Sequence, residues 1–194
     1  VLYQAFLETG QSFVTLEDAE YPYYLKKVFD APYGMYVRGE LPDTKKIVAM
    51  VGARGCSAYG KKIAQELAYF LGKNGYVVIS GMARGIDAYA HIGCLQARAK
   101  TIAVLGCGVD VCYPAEHRRL YEQIISEGCV LSEYAPGSKP IARQFPPRNR
   151  IISGMARYVV VVEAKEKSGS LITTDFALEQ GKDIYVVPGR MTDA

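Results

Sequence analysis

The sequence predicts an α/β domain with a mostly parallel sheet and helices on both faces. Three observations carry that prediction. From residue 45 onward, short apolar runs alternate with segments of helical periodicity. Most of these runs end in a glycine-containing turn, at Gly52 and Gly55, Gly81 and Gly85, and Gly106 and Gly108. Finally, 194 residues with 49% hydrophobic and 22% charged side chains suffice for one sizeable core, which excludes disorder for the bulk of the chain.

Residues 1–44 read as a lead-in packing on the main domain. Tyr3, Tyr21, Tyr23, Tyr24, Tyr33 and Tyr36 lie among Pro22, Pro32 and Pro42, with short strands at 11–16 and 34–38. The main domain, 45–194, opens with a buried strand at 47–51 and a tight turn. A helix follows over 58–74, with Ser57 as its cap, Ile63, Leu67, Phe70 and Leu71 on one face, and Gly75 at its end. The next strand is 76–80, followed by a helix over 86–97 whose small residues Ala90, Gly93 and Ala97 permit close approach to a sheet. Strand 101–105 leads through Gly106-Cys107-Gly108 to a helix over 115–127, with Pro114 suiting its start and Gly128 its end. A short strand at 130–132 precedes a basic stretch whose end, 149–155, is expected to be helical. Strand 158–163, the loop 165–170, a helix over 171–180 and a last strand at 184–187 complete the pattern. Repetition of strand, turn and helix is the Rossmann-like arrangement, in which ligands collect at the carboxyl ends of the strands.

Composition removes several functions. A net charge of +3 is too mild to declare nucleic-acid binding by itself, so clustering carries the information. The five cysteines form no Cys-x-x-Cys pair and only His91 and His117 could join them, which argues against a zinc site or a disulfide framework. Most of them read instead as small buried residues in a reducing cytoplasm. No apolar run approaches the roughly 18 residues of a membrane span, and no signal peptide is read at the start. There is neither a Gly-x-Gly-x-x-Gly fingerprint nor a Walker sequence, and no cofactor is expected. No nucleophile with an adjacent base and no metal triad can be picked out, so a binding protein is expected rather than an enzyme.

The candidate site is an anion-binding one. Between Glu133 and Glu163 there is no acidic residue, whereas Lys139, Arg143, Arg148 and Arg150 are present with Phe145 and Asn149 among them. Cations beside a flat apolar ring suit a nucleic-acid strand, the first for its phosphates and the second for its bases. The alternative is a solvated basic loop whose phenylalanine folds inward. Arg54 and Ser57 at the mouth of the first helix can join backbone amides around a phosphate. In the Ser80 to Asp87 turn, Gly81 and Gly85 let the backbone approach a ligand and Arg84 adds a charge, although Asp87 reads as an ordinary first-turn acid. Gly169 and Ser170 start a helix and form a second anion cradle. Glu163 at a strand end either bonds backbone amides or handles a ligand. Arg148 and Arg150 flank Asn149 at a helix start, so one of them could point inward to Glu163 or to a carbonyl.

Together the motifs resemble the DNA-processing protein A family of bacteria (DprA, also called Smf). The resemblance rests on Val51 to Gly60, Ser80 to Asp87, Gly106 to Pro114, Phe145 to Gly154, and Glu163 with Gly169 to Thr173, in the family's order. It implies an extended Rossmann-like fold and a cytoplasmic, non-enzymatic protein of natural transformation and recombination. Such a protein binds single-stranded DNA, protects it and helps load the RecA recombinase. The resemblance also implies a homodimer, and a basic DNA pocket that includes Arg54 and the segment around Lys139 and Phe145. His117 departs from the family's common Asn. The rival expectation is a nucleotide-processing enzyme resembling the phosphoribohydrolases, with Glu163, residues 168–170 and Asp175 as its site.

Overall fold

The computed structural model describes residues 10–164 and 168–189. Tyr3 and positions 165–167 of the predicted loop lie outside the described residues. In chain order the elements are β1 (Gln11–Thr15), β2 (Gly34–Gly39), β3 (Ile47–Val51), α1 (Ala58–Lys73), β4 (Val77–Ser80), α2 (Ile86–Gln96), β5 (Thr101–Val104), α3 (Arg118–Glu127), β6 (Cys129–Ser132), α4 (Phe145–Met155), β7 (Tyr158–Val161), α5 (Gly169–Glu179) and β8 (Asp183–Val186). The strands form one eight-stranded sheet in the order β1-β2-β6-β5-β4-β3-β7-β8. From β6 to β8 every pair is parallel, as the strand-turn-helix pattern requires. No helix among the described residues is long and apolar enough to cross a membrane.

Alternate residues of the central strands face opposite layers, because successive side chains of a strand point to opposite faces. Ile47, Ala49 and Val51 pack with Ile151, Ile152 and Met155 of α4 and Ala177 of α5. Val48 and Met50 pack with Ala64 and Ala68 of α1 and Ile86 and Ala90 of α2. α3 covers the remaining part of that second face through Leu120, Tyr121 and Ile124. The helices thus divide into α1 to α3 on one side and α4 with α5 on the other.

Three differences from the sequence reading matter. The lead-in extends the sheet itself: β1 pairs antiparallel with β2, and β2 with β6, so Tyr36 lies opposite Ser132. The helix expected over 115–127 is divided into a 3₁₀ turn, Ala115–His117, and α3. The helix expected from residue 149 begins at Phe145, preceded by a 3₁₀ turn at Ala142–Gln144. Pro146 and Pro147 fall in the first helical turn, where a missing N–H costs nothing, so the Pro-Pro pair starts the helix instead of delaying it.

Candidate functional site

β3 leads through α1 to β4 on one flank, whereas β7, formed later in the chain, pairs with the other flank of β3. Beyond the carboxyl ends of β3 and β7 the sheet therefore changes direction, and a crevice opens there as in other open parallel sheets. It has a volume of about 700 Å³ and is bounded by the turn after β3, the first half of α4 and the start of α5. Arg54, Phe145, Arg148, Asn149, Gly169 and Ser170 all line it. Ser57, Gly81, Arg84, Lys139, Arg143 and Arg150 do not, although Pro140 and Ala142, beside Lys139 and Arg143, do.

Phe145 is half-buried at the start of α4, with its ring over Gly106. A Cβ on Gly106 would lie 2.8 Å from Phe145 Cδ1, so the glycine makes room for the ring. Tyr113 stands beside it, ring centroids 5.4 Å apart and planes tilted by 42°. The crevice thus presents two aromatic rings, of which Tyr113 is 42% exposed.

The cations separate into two groups. Arg54, Lys139 and Arg143 are exposed, and none forms an ion pair or a side-chain hydrogen bond among the described residues. Arg148 and Arg150 are bound internally. Arg148 is 5% exposed, and its Nη1 donates to the carbonyl oxygens of Val104 and Gly81, the latter at 3.1 Å. Its Nε donates to Asn149 Oδ1 at 3.2 Å. Burial lowers its pKa to about 10, with Asp87 opposing that shift. Asp87 is buried too and accepts N–H bonds from Gly81 at 3.1 Å and Ala83 at 3.4 Å. Burial pushes its carboxyl above the usual range, against the pull of Arg148. The acid read from sequence as a helix-dipole residue is therefore half of a network that fixes the turn after β4.

Arg150 donates to both oxygens of Glu133, from Nη1 at 2.9 Å and from Nη2 at 2.8 Å, and its Nε lies 3.1 Å from Asp30 Oδ2. Glu133, at the border of the acid-free stretch, neutralises an arginine 17 residues further along it. Arg84 is paired with Glu116. Gly81 offers no free backbone group, since its N–H serves Asp87 and its carbonyl serves Arg148.

Ser57 caps α1, its Oγ accepting from Gly60 N at 3.0 Å. The same hydroxyl donates to Glu163 Oε2 at 2.8 Å, and Ser57 N donates to both Glu163 oxygens at 3.1 Å. Glu163 thereby takes the anion position at the amino end of α1, so the amide-bonding alternative read from sequence is the one realised. Only a glycine at position 60 admits it, because a Cβ there would lie 2.2 Å from Glu163 Oε2. The amino end of α5 is different. Ser168 Oγ accepts from Ser170 N at 3.3 Å and meets Ser170 Oγ at 2.7 Å, whereas Gly169 is exposed at the crevice. Asn149 Nδ2 donates to Gly169 O at 3.3 Å and holds the two helix starts together.

Sequence reasoning missed Tyr113, which it placed before a helix and gave no role in the site. The signal was available, because an aromatic residue in a strand-exit loop has the same standing as Phe145. His91 is buried with Nδ1 2.8 Å from Thr101 Oγ1, and His117 Nδ1 lies 3.1 Å from the Met82 carbonyl oxygen, so both are structural. Among the described residues no group of three or more His, Cys, Asp and Glu could hold a metal.

The model of the family described as DNA recombination-mediator protein A matches residues 12–194. The DNA processing protein DprA of Streptococcus pneumoniae is 46% identical over 184 residues, covering 94% of this chain and 64% of that protein. A solved structure of DNA processing protein A from the same species superposes with a TM-score of 0.89 at 42% identity, covering 98% of this chain and 68% of the other. The structure of DNA processing protein A from Helicobacter pylori, solved for its single-stranded DNA binding mode, gives a TM-score of 0.84 at 32% identity. It covers 94% of this chain and 84% of that one. The chain thus spans about two thirds of the length of its pneumococcal relative, and it belongs to the DNA recombination-mediator protein A family.

Proposed function

We propose that this chain is the single-stranded-DNA-binding part of a recombination mediator and not an enzyme. The observation that carries the reading is the crevice at the β3/β7 carboxyl edge, where a half-buried phenylalanine ring and an exposed tyrosine lie with Arg54, beside the segment that carries Lys139 and Arg143, three cations without partners among the described residues. Phosphates would lie against Arg54, Lys139, Arg143 and the Gly169 end of α5, with bases on the rings. Duplex bases are stacked on one another and cannot use the rings, so a single strand is preferred. Base identity matters little, since Asn149 has both its amide groups occupied internally. The solved structure of the H. pylori relative, concerned with single-stranded DNA, supports the same reading.

Protection of incoming strands and loading of RecA are the finer roles we infer from family membership. A homodimer is the form we infer. In its favour, β8 is an edge strand whose Tyr185 and Val186 are exposed, and Leu178 of α5 is exposed too. The five cysteines are free thiols, which fits a cytoplasmic setting. The rival nucleotide-hydrolase reading needs a free carboxylate, but Glu163 is bound to Ser57 and Asp175 is not among the residues lining the crevice.

The test is fluorescence anisotropy of a labelled oligo-thymidine titrated at several salt concentrations, beside a duplex of equal length. We expect tighter single-strand binding that weakens steeply with salt. Each neutralised phosphate contributes about 0.7 to the slope of log affinity against log salt. Arg54→Ala should therefore lower the slope by about 0.7, and affinity about fourfold at 0.15 M. Equal affinity for the duplex, or release of free base from a nucleoside monophosphate, would refute the reading. Sedimentation of the chain beside Tyr185→Lys tests the dimer, and RecA assembly on coated strands tests loading.

A further inference from the structure

Lys139 has no partner among the described residues, yet the backbone that carries it is not free. Ala135 to Ser138 forms a turn, with Ser138 N donating to Ala135 O at 3.1 Å. That turn is tied to the loop leaving β5 at two points. Gly108 N donates to Ser138 O at 2.9 Å, and Gly137 N donates to the Asp110 carboxylate at 2.8 Å to Oδ1 and 3.0 Å to Oδ2. The two loops approach so closely that a Cβ on Gly108 would lie 2.6 Å from Asp110 Oδ1, 2.8 Å from Ala135 O and 2.9 Å from Gly137 N.

Asp110 is exposed, and among the described residues it has no ion pair. An unpaired carboxylate beside a groove for a polyanion opposes binding, so its charge gives no advantage to the ligand. Its geometry does, because its one hydrogen-bond donor among the described residues is the amide two residues before Lys139. On the other side of Lys139, Ile141 N donates to Gln144 Oε1 at 3.1 Å, so the backbone is anchored on both flanks.

We propose that Asp110 is a positioning residue for DNA binding: it latches the Ala135–Ser138 turn and so holds Lys139 toward the strand that occupies the crevice. The inference rests on the single-stranded-DNA reading given above. Without the latch the turn keeps only the Gly108 N to Ser138 O bond to the β5 loop, and Lys139 is held less firmly. The latch needs an acceptor and not a charge, which separates two substitutions of the same residue.

The experiment is the oligo-thymidine titration at several salt concentrations with Asp110→Ala, Asp110→Asn, Gly108→Ala and Lys139→Ala. Asp110→Ala should bind about fourfold more weakly at 0.15 M salt with a slope lower by about 0.7, the signature of one lost phosphate contact. Lys139→Ala should match it, and the double variant should be no worse than either alone. Asp110→Asn keeps an acceptor and removes the repulsion, so it should bind as tightly as the unchanged chain or more tightly. Gly108→Ala, which forces the loops apart, should reproduce Asp110→Ala. A purely structural role would lower the fraction of competent molecules and leave the slope intact. Unchanged slope and affinity in Asp110→Ala, while Arg54→Ala is impaired, would overturn the latch alone. Absence of single-strand binding by the unchanged chain would overturn both the latch and the function it serves.

Discussion

Arg148 tests most directly whether the basic stretch is one surface or two kinds of residue. Arg148→Met keeps the length and bulk of the stem while removing the guanidinium. Three hydrogen bonds are lost, to Gly81 O, Val104 O and Asn149 Oδ1, and the buried Asp87 loses the neighbouring positive charge. Leaving one partner of a buried charged pair without the other costs about 3–5 kcal/mol. The retained stem and the removed burden of burying a guanidinium favour the lower figure, about 3 kcal/mol. With a urea dependence of about 2 kcal/mol per molar, the unfolding midpoint should fall by about 1.5 M at unchanged slope. A domain holding about 5–15 kcal/mol stays folded after such a loss, so DNA binding can be measured on the same variant. Per folded molecule, single-strand affinity should stay within about twofold and the salt slope should not change, because no phosphate contact has been removed. A variant as stable as the unchanged chain, with the salt slope lowered by about 0.7, would refute the division. Arg148 would then belong with Arg54 and Lys139.

Phe145→Leu removes the stacking face but fills the space over Gly106. Single-strand affinity should fall by about five- to a hundredfold, the equivalent of about 1–3 kcal/mol for one base, and unchanged affinity would reduce the ring to core packing. Glu163→Gln retains an acceptor for Ser57 N and removes a negative charge from the amino end of α1. DNA affinity should hold or rise, and a drop beyond tenfold would mean that the carboxylate serves the ligand itself. His91 makes stability depend on pH. Burial depresses its pKa from 6.5 to about 3, so its contribution is complete above pH 6.5 and is lost as pH falls toward 3. Between pH 7.5 and 5.0 urea unfolding should lose about 2 kcal/mol that His91→Gln does not lose, and an equal loss in the variant would contradict the burial of a neutral imidazole.

The alternation of strands and helices was legible in the chain because periodicity is local: a buried strand or a one-sided helix declares itself within a dozen residues. The turns that end at the crevice were legible for the same reason. So was Phe145 among cations. What pairs with each cation was not, because charge pairing joins residues far apart in sequence. Arg150 meets Glu133 across 17 positions and Asp30 across 120, and Arg148 meets Gly81 across 67. Glu163 reaches Ser57 across 106. Pro146 and Pro147 were a local signal of a helix start that the sequence reading left unused, since it began the helix at residue 149.

The sequence by itself determined that a parallel sheet would carry glycine turns at one edge and that cations with an aromatic ring would follow β6. Only the tertiary structure decided that β7 returns to the far flank of β3. That choice depends on which helices cover which face, a property of the whole core and of no single segment. It places the crevice between the Arg54 turn and the start of α5, and it sorts the arginines of the site into those bound to the protein's own carbonyls and carboxylates and those left exposed without a partner among the described residues.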